Sequence, residues 1–368
     1  NVALNDASVS VENDTLNLKV DETSAINATI EPDTIMLKIK YTSSNESVVT
    51  VDKNGIVTAV GEGRAIITLE VGDDEIYAKN STTVTVTVSK INTTADVSIP
   101  ENIDVGDNVT VDVKLPSDAT GNVILKVDGK VIDNVQVTNG TASVKLPALG
   151  AGKHTVEVTY SGDDKYKPAS KASTINVKKL STKLSAADVK VTYSVNKYLL
   201  ITLKDSKGDP LDGVKITVNL NGAKVYTTDS NGQVKIIVGK LVPKTYTAKI
   251  TFAGNNKYLA SSASAKVVVQ KANVRITALN KVYKSSVKVK LYPVILKDFT
   301  GKVLKNVVVT LKVNGKTYFA KTDANGKAIF KITQLTKKGT YNAVITFKGN
   351  NYYNKVVKKA TIKVNSVR

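Results

Sequence analysis

Along most of the chain apolar and polar residues alternate one by one, as in Val123-Ile124-Leu125-Lys126-Val127, Val214-Lys215-Ile216-Thr217-Val218 and Val307-Val308-Val309-Thr310-Leu311-Lys312-Val313. A period of two sends successive side chains to opposite faces of an extended strand, so each run buries one face and wets the other. Helical periodicity is nearly absent. Between the runs stand two-residue turn signals. Asp128-Gly129, Asn221-Gly222 and Asn314-Gly315 form one set, and Asn139-Gly140, Asn231-Gly232 and Asn325-Gly326 a second. Asn-Gly and Asp-Gly tolerate the positive φ of tight turns, and each set is expected to mark a hairpin. Short strands with a turn signal every ~8–12 residues predict an antiparallel sandwich.

The same landmarks return at a fixed period. Tyr160-Ser161-Gly162-Asp163-Asp164-Lys165-Tyr166 recurs as Phe252-Ala253-Gly254-Asn255-Asn256-Lys257-Tyr258 and as Phe347-Lys348-Gly349-Asn350-Asn351-Tyr352-Tyr353. A spacing of roughly 90 residues identifies tandem modules of one sandwich each. The first 90 residues lack these landmarks but also read as strands, with a hairpin around Asn54-Gly55 and a strand at Ala65-Ile66-Ile67-Thr68-Leu69. Four domains follow, at 1–90, 91–178, 179–271 and 272–368. The junctions at Val88-Ser89-Lys90-Ile91, Val177-Lys178-Lys179-Leu180 and Val269-Gln270-Lys271-Ala272 are short and not rich in Gly or Pro. Sandwiches of roughly 35–40 Å joined end to end are then expected to form a rod of about 150 Å.

At these residues a resemblance to known families emerges. Ser43-Ser44-Asn45 through Val51-Asp52, with Asn54-Gly55, Gly61-Glu62-Gly63 and Ile66-Ile67, resembles the group-two bacterial immunoglobulin-like domain of intimin- and invasin-type adhesins. The second domain, with Asn139-Gly140, Leu149-Gly150-Ala151-Gly152 and Tyr160-Ser161-Gly162-Asp163, is similar to group-three repeats. Domains three and four, with Leu203-Lys204-Asp205 through Gly208-Asp209-Pro210-Leu211, Thr228-Asp229-Ser230-Asn231-Gly232 and Phe252 to Tyr258, resemble Ig-like repeats of adhesin-like surface proteins from methanogenic archaea. The fourth domain has Val303 in place of Pro210, which predicts a less rigid turn. The resemblance implies an all-β chain of four tandem immunoglobulin-like sandwiches.

Composition narrows the chemistry. The 368 residues include no Cys, one His and one Met, so disulfides, thiolate metal sites and cysteine nucleophiles are excluded. No run of 18 or more apolar residues occurs, and Asn1-Val2-Ala3-Leu4 does not open a signal peptide, so leader and anchor are expected outside these residues. Charge is unevenly distributed. Residues 1–90 carry 7 Lys+Arg against 14 Asp+Glu and residues 91–178 carry 9 against 11, while 179–271 carry 15 against 5 and 272–368 carry 21 against 2.

Candidate sites are few. His154 stands where the other repeats have Tyr246 and Tyr341, a position that reads as ring packing near a strand start rather than as a catalyst or metal ligand. Asp73-Asp74-Glu75 and Asp163-Asp164 are carboxylate clusters without the twelve-residue calcium-loop spacing, and they read as solvated turns. Asp205 and Asp298 precede Gly-containing turns and are expected to cap them, the alternative being an isopeptide crosslink with a buried Lys and Asn. Tyr166, Tyr258 and Tyr353 recur evenly, which fits core plugs better than a carbohydrate-stacking platform. Catalytic, cofactor and metal residues are therefore assigned to none of these positions, and no enzyme is expected.

Sequons for N-glycosylation occur at Asn13, Asn27, Asn45, Asn80, Asn92, Asn108 and Asn139, all in the acidic half. The chain reads as an extracellular, cell-surface adhesin-like protein whose tandem domains form a stalk or presentation module. The expected partners are a host or microbial cell-surface glycan or protein at the distal, acidic end. An anionic cell-wall polymer or membrane surface is expected near the basic C-terminal half. Nucleic acid is not expected, since Arg is scarce and no recognition motif is present. The rival readings are a glycan-binding module acting through the domain-one loops and a surface-layer or envelope subunit.

Overall fold

The computed structural model describes residues 3–33 and 37–366. Asn1 and Val2, on which the leader expectation bears, lie outside them. The described chain is built from strands and turns, and it divides into two compact units, Asn1–Lys179 and Leu180–Arg368. Each unit holds two sandwiches with separate hydrophobic cores. In the first unit one core gathers Val49, Ile67, Leu69 and Val86, and the other Leu125, Val144, Val158 and Ile175. In the second unit the cores centre on Leu199, Ile201, Leu203 and Val267, and on Tyr292, Leu311, Phe330 and Ile362.

The alternating sequence pattern produces these cores directly. In the strand Tyr198–Asp205, Leu199, Ile201 and Leu203 are buried while Tyr198, Leu200 and Lys204 face water. Three sandwiches share one topology, a three-stranded sheet packed on a five-stranded one. In the second, Asp96–Ser98, Thr110–Lys114 and Thr141–Lys145 oppose the order Asn102–Asp104, Ala169–Lys178, Gly152–Tyr160, Asn122–Val127, Lys130–Gln136. The first sandwich is a variant, with four-, three- and two-stranded sheets.

One pairing is common to all four. An early strand lies parallel to the last strand of the same sandwich: Thr15–Lys19 with Asn80–Ser89, Asn102–Asp104 with Ala169–Lys178, Val189–Thr192 with Ser261–Gln270, and Lys281–Lys284 with Val356–Asn365. Further upstream, ahead of a short strand of another sheet, a single residue bridges to a tyrosine in the turn that leads into the last strand. The pairs are Asn5 with Tyr77, Ile91 with Tyr166, Leu180 with Tyr258 and Ala272 with Tyr353. One residue, Lys90, Lys179 or Lys271, separates the last strand of a sandwich from the next such bridge.

The two sets of turn signals part company here. Asp128-Gly129, Asn221-Gly222 and Asn314-Gly315 do join paired strands. Asn139-Gly140, Asn231-Gly232 and Asn325-Gly326 do not: the strands on either side of them belong to different sheets, so the expected hairpins are crossovers. The glycine has a packing role as well as a positive φ. The amides of Leu115, Leu203 and Leu296 donate to the carbonyls of Gly140, Gly232 and Gly326, and a Cβ on Gly232 would collide with the Leu203 carbonyl. Alternation looks the same in sequence whether the next strand pairs with the last or starts the facing sheet.

Tyr160 is fully buried, and its hydroxyl, although it lies beside the Asp163 carboxylate, makes no hydrogen bond of good geometry among the described residues. The matching positions Phe252 and Phe347 have no hydroxyl to satisfy. Burial, with the nearby Asp163 carboxylate as the second cause, pushes the Tyr160 phenol well above its ordinary pKa. A buried polar group without a partner costs about 1–3 kcal/mol. Tyr160→Phe is therefore expected to leave stability unchanged or raise it by up to about 1 kcal/mol in a denaturant titration. A loss of more than that magnitude would show the hydroxyl to be satisfied.

Candidate functional site

The repeated polar residues converge on turns. In the turn before each last strand, one Asx side chain accepts two successive amides through Oδ1: Asp74 from Ile76 and Tyr77, Asp163 from Lys165 and Tyr166, Asn255 from Lys257 and Tyr258, Asn350 from Tyr352 and Tyr353. All eight bonds measure 2.7–2.9 Å. The first sandwich thus has the landmark that its sequence concealed. In it Asx stands two residues after the glycine, Gly72-Asp73-Asp74, where the others have one, as in Gly162-Asp163. An aspartate and an asparagine serve equally because the turn uses a carbonyl-type oxygen and needs no charge.

These carboxylates are engaged rather than poised. The amides of Tyr77 and Ile76 hold Asp74 below the usual carboxylate range. Burial pushes Asp163 upward, but the Thr120, Tyr166 and Lys165 amides outweigh it and leave the net shift downward. Asp205 Oδ1 accepts from the Lys207 and Asp209 amides, and Asp298 Oδ1 from the Thr300 amide and hydroxyl and the Lys302 amide. The Val303 turn keeps the same bridge as the Pro210 turn, Lys297 to Val303 against Lys204 to Pro210, so the cap holds the turn without the proline ring. Among the described residues no three His, Asp or Glu side chains gather as a cation cage.

His154 departs from the ring-packing expectation. Its Nε2 lies 2.8 Å from the Gly150 carbonyl and its Nδ1 2.8 Å from Asp128 Oδ2. The tyrosines at the matching positions do the same with their hydroxyls: Tyr246 donates to the Val242 carbonyl at 2.7 Å and Tyr341 to that of Lys337 at 2.8 Å. In each case a ring at the start of a strand ties down the carbonyl four residues upstream. The shared role is this tether, which explains why His and Tyr interchange. The Asp128 hydrogen bond, then that of Gly150, raises the His154 pKa, and His154 in turn lowers that of Asp128.

Tyr166 and Tyr353 are buried and Tyr258 is half-buried. Sequence gave no sign of their neighbours. Lys165 Nζ sits 2.7 Å from both Asp118 of its own sandwich and Asp21 of the first, and the Tyr166 hydroxyl donates to Asp118 at 2.7 Å. In the second unit the corresponding turn meets an aromatic partner instead, with Tyr193 4.9 Å from Tyr352 and 5.6 Å from Tyr353 between ring centroids. Asp21 and Tyr193 carry no local motif, because each acts through a fold-level juxtaposition.

The family comparison agrees with this architecture. Residues 7–78 match the bacterial Ig-like domain of group 2, and residues 95–178 match that of group 3. The first two sandwiches are bacterial Ig-like domains. Among solved structures, these Ig-like domains and their neighbours in the chain are similar to a Ca2+-stabilized adhesin that helps an Antarctic bacterium reach out and bind ice. The identity is 19%, over 99% of this chain and 100% of that one, with a TM-score of 0.29. A 1.5-MDa bacterial ice-binding adhesin is 18% identical over 75% of this chain and 100% of that one, with a TM-score of 0.27. The N-terminal four Ig domains of Dscam1 isoform 6.9 are 10% identical over 98% and 99%, with a TM-score of 0.26. At such values the sheets themselves, rather than these likenesses, define the architecture.

The sequons occupy varied settings in the two Ig-like domains. Asn13, Asn27, Asn45, Asn92, Asn108 and Asn139 are exposed and lie in turns or loops. Asn80 opens the strand Asn80–Ser89, is half-buried, and accepts the Val9 amide at 3.1 Å.

Two outcomes are expected. Glycopeptide mass spectrometry of protein from its native producer should find any occupied sites among the six exposed asparagines and none at Asn80. Separately, a raised folded pKa means that the His154 contact stabilises fully below the unfolded value of about 6.5 and ceases to do so as pH rises through the folded value. Thermal melts of the native chain and of His154→Gln should therefore differ at acidic pH and converge at alkaline pH. A constant difference would show that only the neutral tether matters.

Proposed function

We propose that the chain is a presentation module of a cell-surface adhesin-like protein, its sandwiches acting as load-bearing spacers for a recognition element. The observation that carries this reading is the parallel pairing of early and last strands in all four sandwiches. Parallel neighbours receive opposed pulls at their far ends when a sandwich is stretched through its termini. The hydrogen bonds between them are then loaded together in shear instead of opening one at a time. The Asx-capped turn and its bridging residue hold the opposite end of the last strand, ahead of its first residue, so the strand is tied down at both ends. The group-two and group-three Ig-like domains of residues 7–78 and 95–178 support the surface setting. Exposed asparagines would bear glycans on the acidic half, and the basic half would lie against the anionic envelope.

The Tyr193 amide donates to the Gln270 carbonyl, and alternation along the strand turns the Val191 amide to the same side. When the full chain is stretched between its ends in a force spectrometer, Val191→Pro should lower one unfolding force and leave the others in place. Intact producer cells treated with an impermeant protease should lose the protein. Full protection on intact cells, or four unfolding forces unaffected by the proline, would overturn the reading.

A further inference from the structure

The outer faces of the three-stranded sheets differ between sandwiches of the same topology. In the second sandwich the face presents Thr110, Asp112 and Lys114 beside Thr141, Ser143 and Lys145, and the Ser143 hydroxyl donates to Asp112 at 2.6 Å. It is polar and of mixed charge. In the fourth sandwich the strand Lys290–Asp298 turns Leu291, Pro293, Ile295 and Lys297 outward, and Lys327–Ile332 turns Lys327, Ile329 and Lys331 outward. The register sets Leu291 opposite Lys331, Pro293 opposite Ile329, Ile295 opposite Lys327, and Arg275 opposite Lys297. Leu291 is 53% exposed and Ile329 45%.

Four cations thus border a strip of four apolar side chains, with no carboxylate on the face. The two aspartates of this sandwich are committed to turns: Asp298 is buried with Oδ1 on the Thr300 and Lys302 amides, and Asp323 Oδ1 accepts the Asn325 and Lys327 amides. Among the described residues none of Arg275, Lys297, Lys327 and Lys331 is in an ion pair. At one end of the strip Arg275, Lys297 and Phe299 line a recess of about 390 Å³ together with the buried Asp298, whose Oδ2 is left without a hydrogen-bond partner among the described residues; Phe299 is 52% exposed. The third sandwich repeats the theme with Tyr198 and Leu200 outward, Leu200 opposite Lys235 and Lys183 opposite Lys204.

We infer that the outer face of the three-stranded sheet in the fourth sandwich docks on an anionic lipid bilayer. Its cations would meet headgroup phosphates while Leu291 and Ile329 enter the interfacial layer. Charge alone would serve a soluble polyanion and leave the apolar strip in water. A bilayer surface offers both a negative potential and an apolar boundary, which matches cations interleaved with aliphatic side chains. The inference rests on the surface-module reading and deepens it by naming which face meets the envelope.

The full chain should co-sediment with vesicles of phosphatidylglycerol and phosphatidylcholine, and not with phosphatidylcholine alone. Leu291→Ser with Ile329→Ser should weaken that binding at least tenfold with an unchanged melting curve. Should that pair melt early, Lys327→Glu with Lys331→Glu tests the same face and should give a similar loss. Lys312→Gln with Lys359→Gln, on the outer face of the five-stranded sheet, should bind as the native chain does. Absence of anionic-vesicle binding, or equal binding by the face variants, overturns the inference. Complete displacement of the bound chain by soluble polyphosphate, with the serine pair binding as well as the native chain, also overturns it and assigns a polymeric anion instead. If the protein is still stripped from intact cells by protease, such a failure leaves the surface-module reading standing; protection from protease would remove both.

Discussion

Each sandwich is closed by its own two ends. The early strand lies parallel to the last one, and a bridging residue one short strand further upstream is held by the capped turn that leads into that last strand. A sheet-on-sheet core without disulfides has only burial and hydrogen bonds to keep its edges together. Placing the first and last segments side by side makes loss of either end a loss for both. The Asx cap, the turn tyrosine and the bridge are best understood as parts of this one closure.

Variation around the closure separates structure from adaptation. Asp and Asn interchange at the cap, where an oxygen suffices, and His and Tyr interchange at the upstream tether, where a donor reaching a carbonyl suffices. Phe stands at the positions that match Tyr160, where the hydroxyl makes no hydrogen bond of good geometry. Charge changes where solvent is the neighbour. The same outer face is polar and balanced in the second sandwich, and apolar with a cationic border in the fourth. The fold tolerates both because neither face contributes to the core.

Strand content, the repeated tyrosine turn and the Asp205 and Asp298 caps were legible from sequence because each depends on residues close together in the chain. The crossovers at Asn139-Gly140, Asn231-Gly232 and Asn325-Gly326 were not, since local alternation does not say which sheet a strand joins. The turn at Asp74 was concealed by one extra residue after Gly72. Lys165 bridging Asp21 and Asp118, and Tyr193 meeting Tyr352 and Tyr353, depend on pairs 47 to 160 residues apart, for which a single sequence holds no signal.

The lysines at 90, 179 and 271 bear on how the chain withstands proteases. Each is a cleavage signal for trypsin-like enzymes, which need an extended stretch of several free residues in the active-site cleft. Yet strand hydrogen bonds end one residue before each lysine and bridge bonds resume one residue after it. Cutting there requires the neighbouring closure to open first, so resistance to digestion at these points is governed by local unfolding rather than by the presence of lysine.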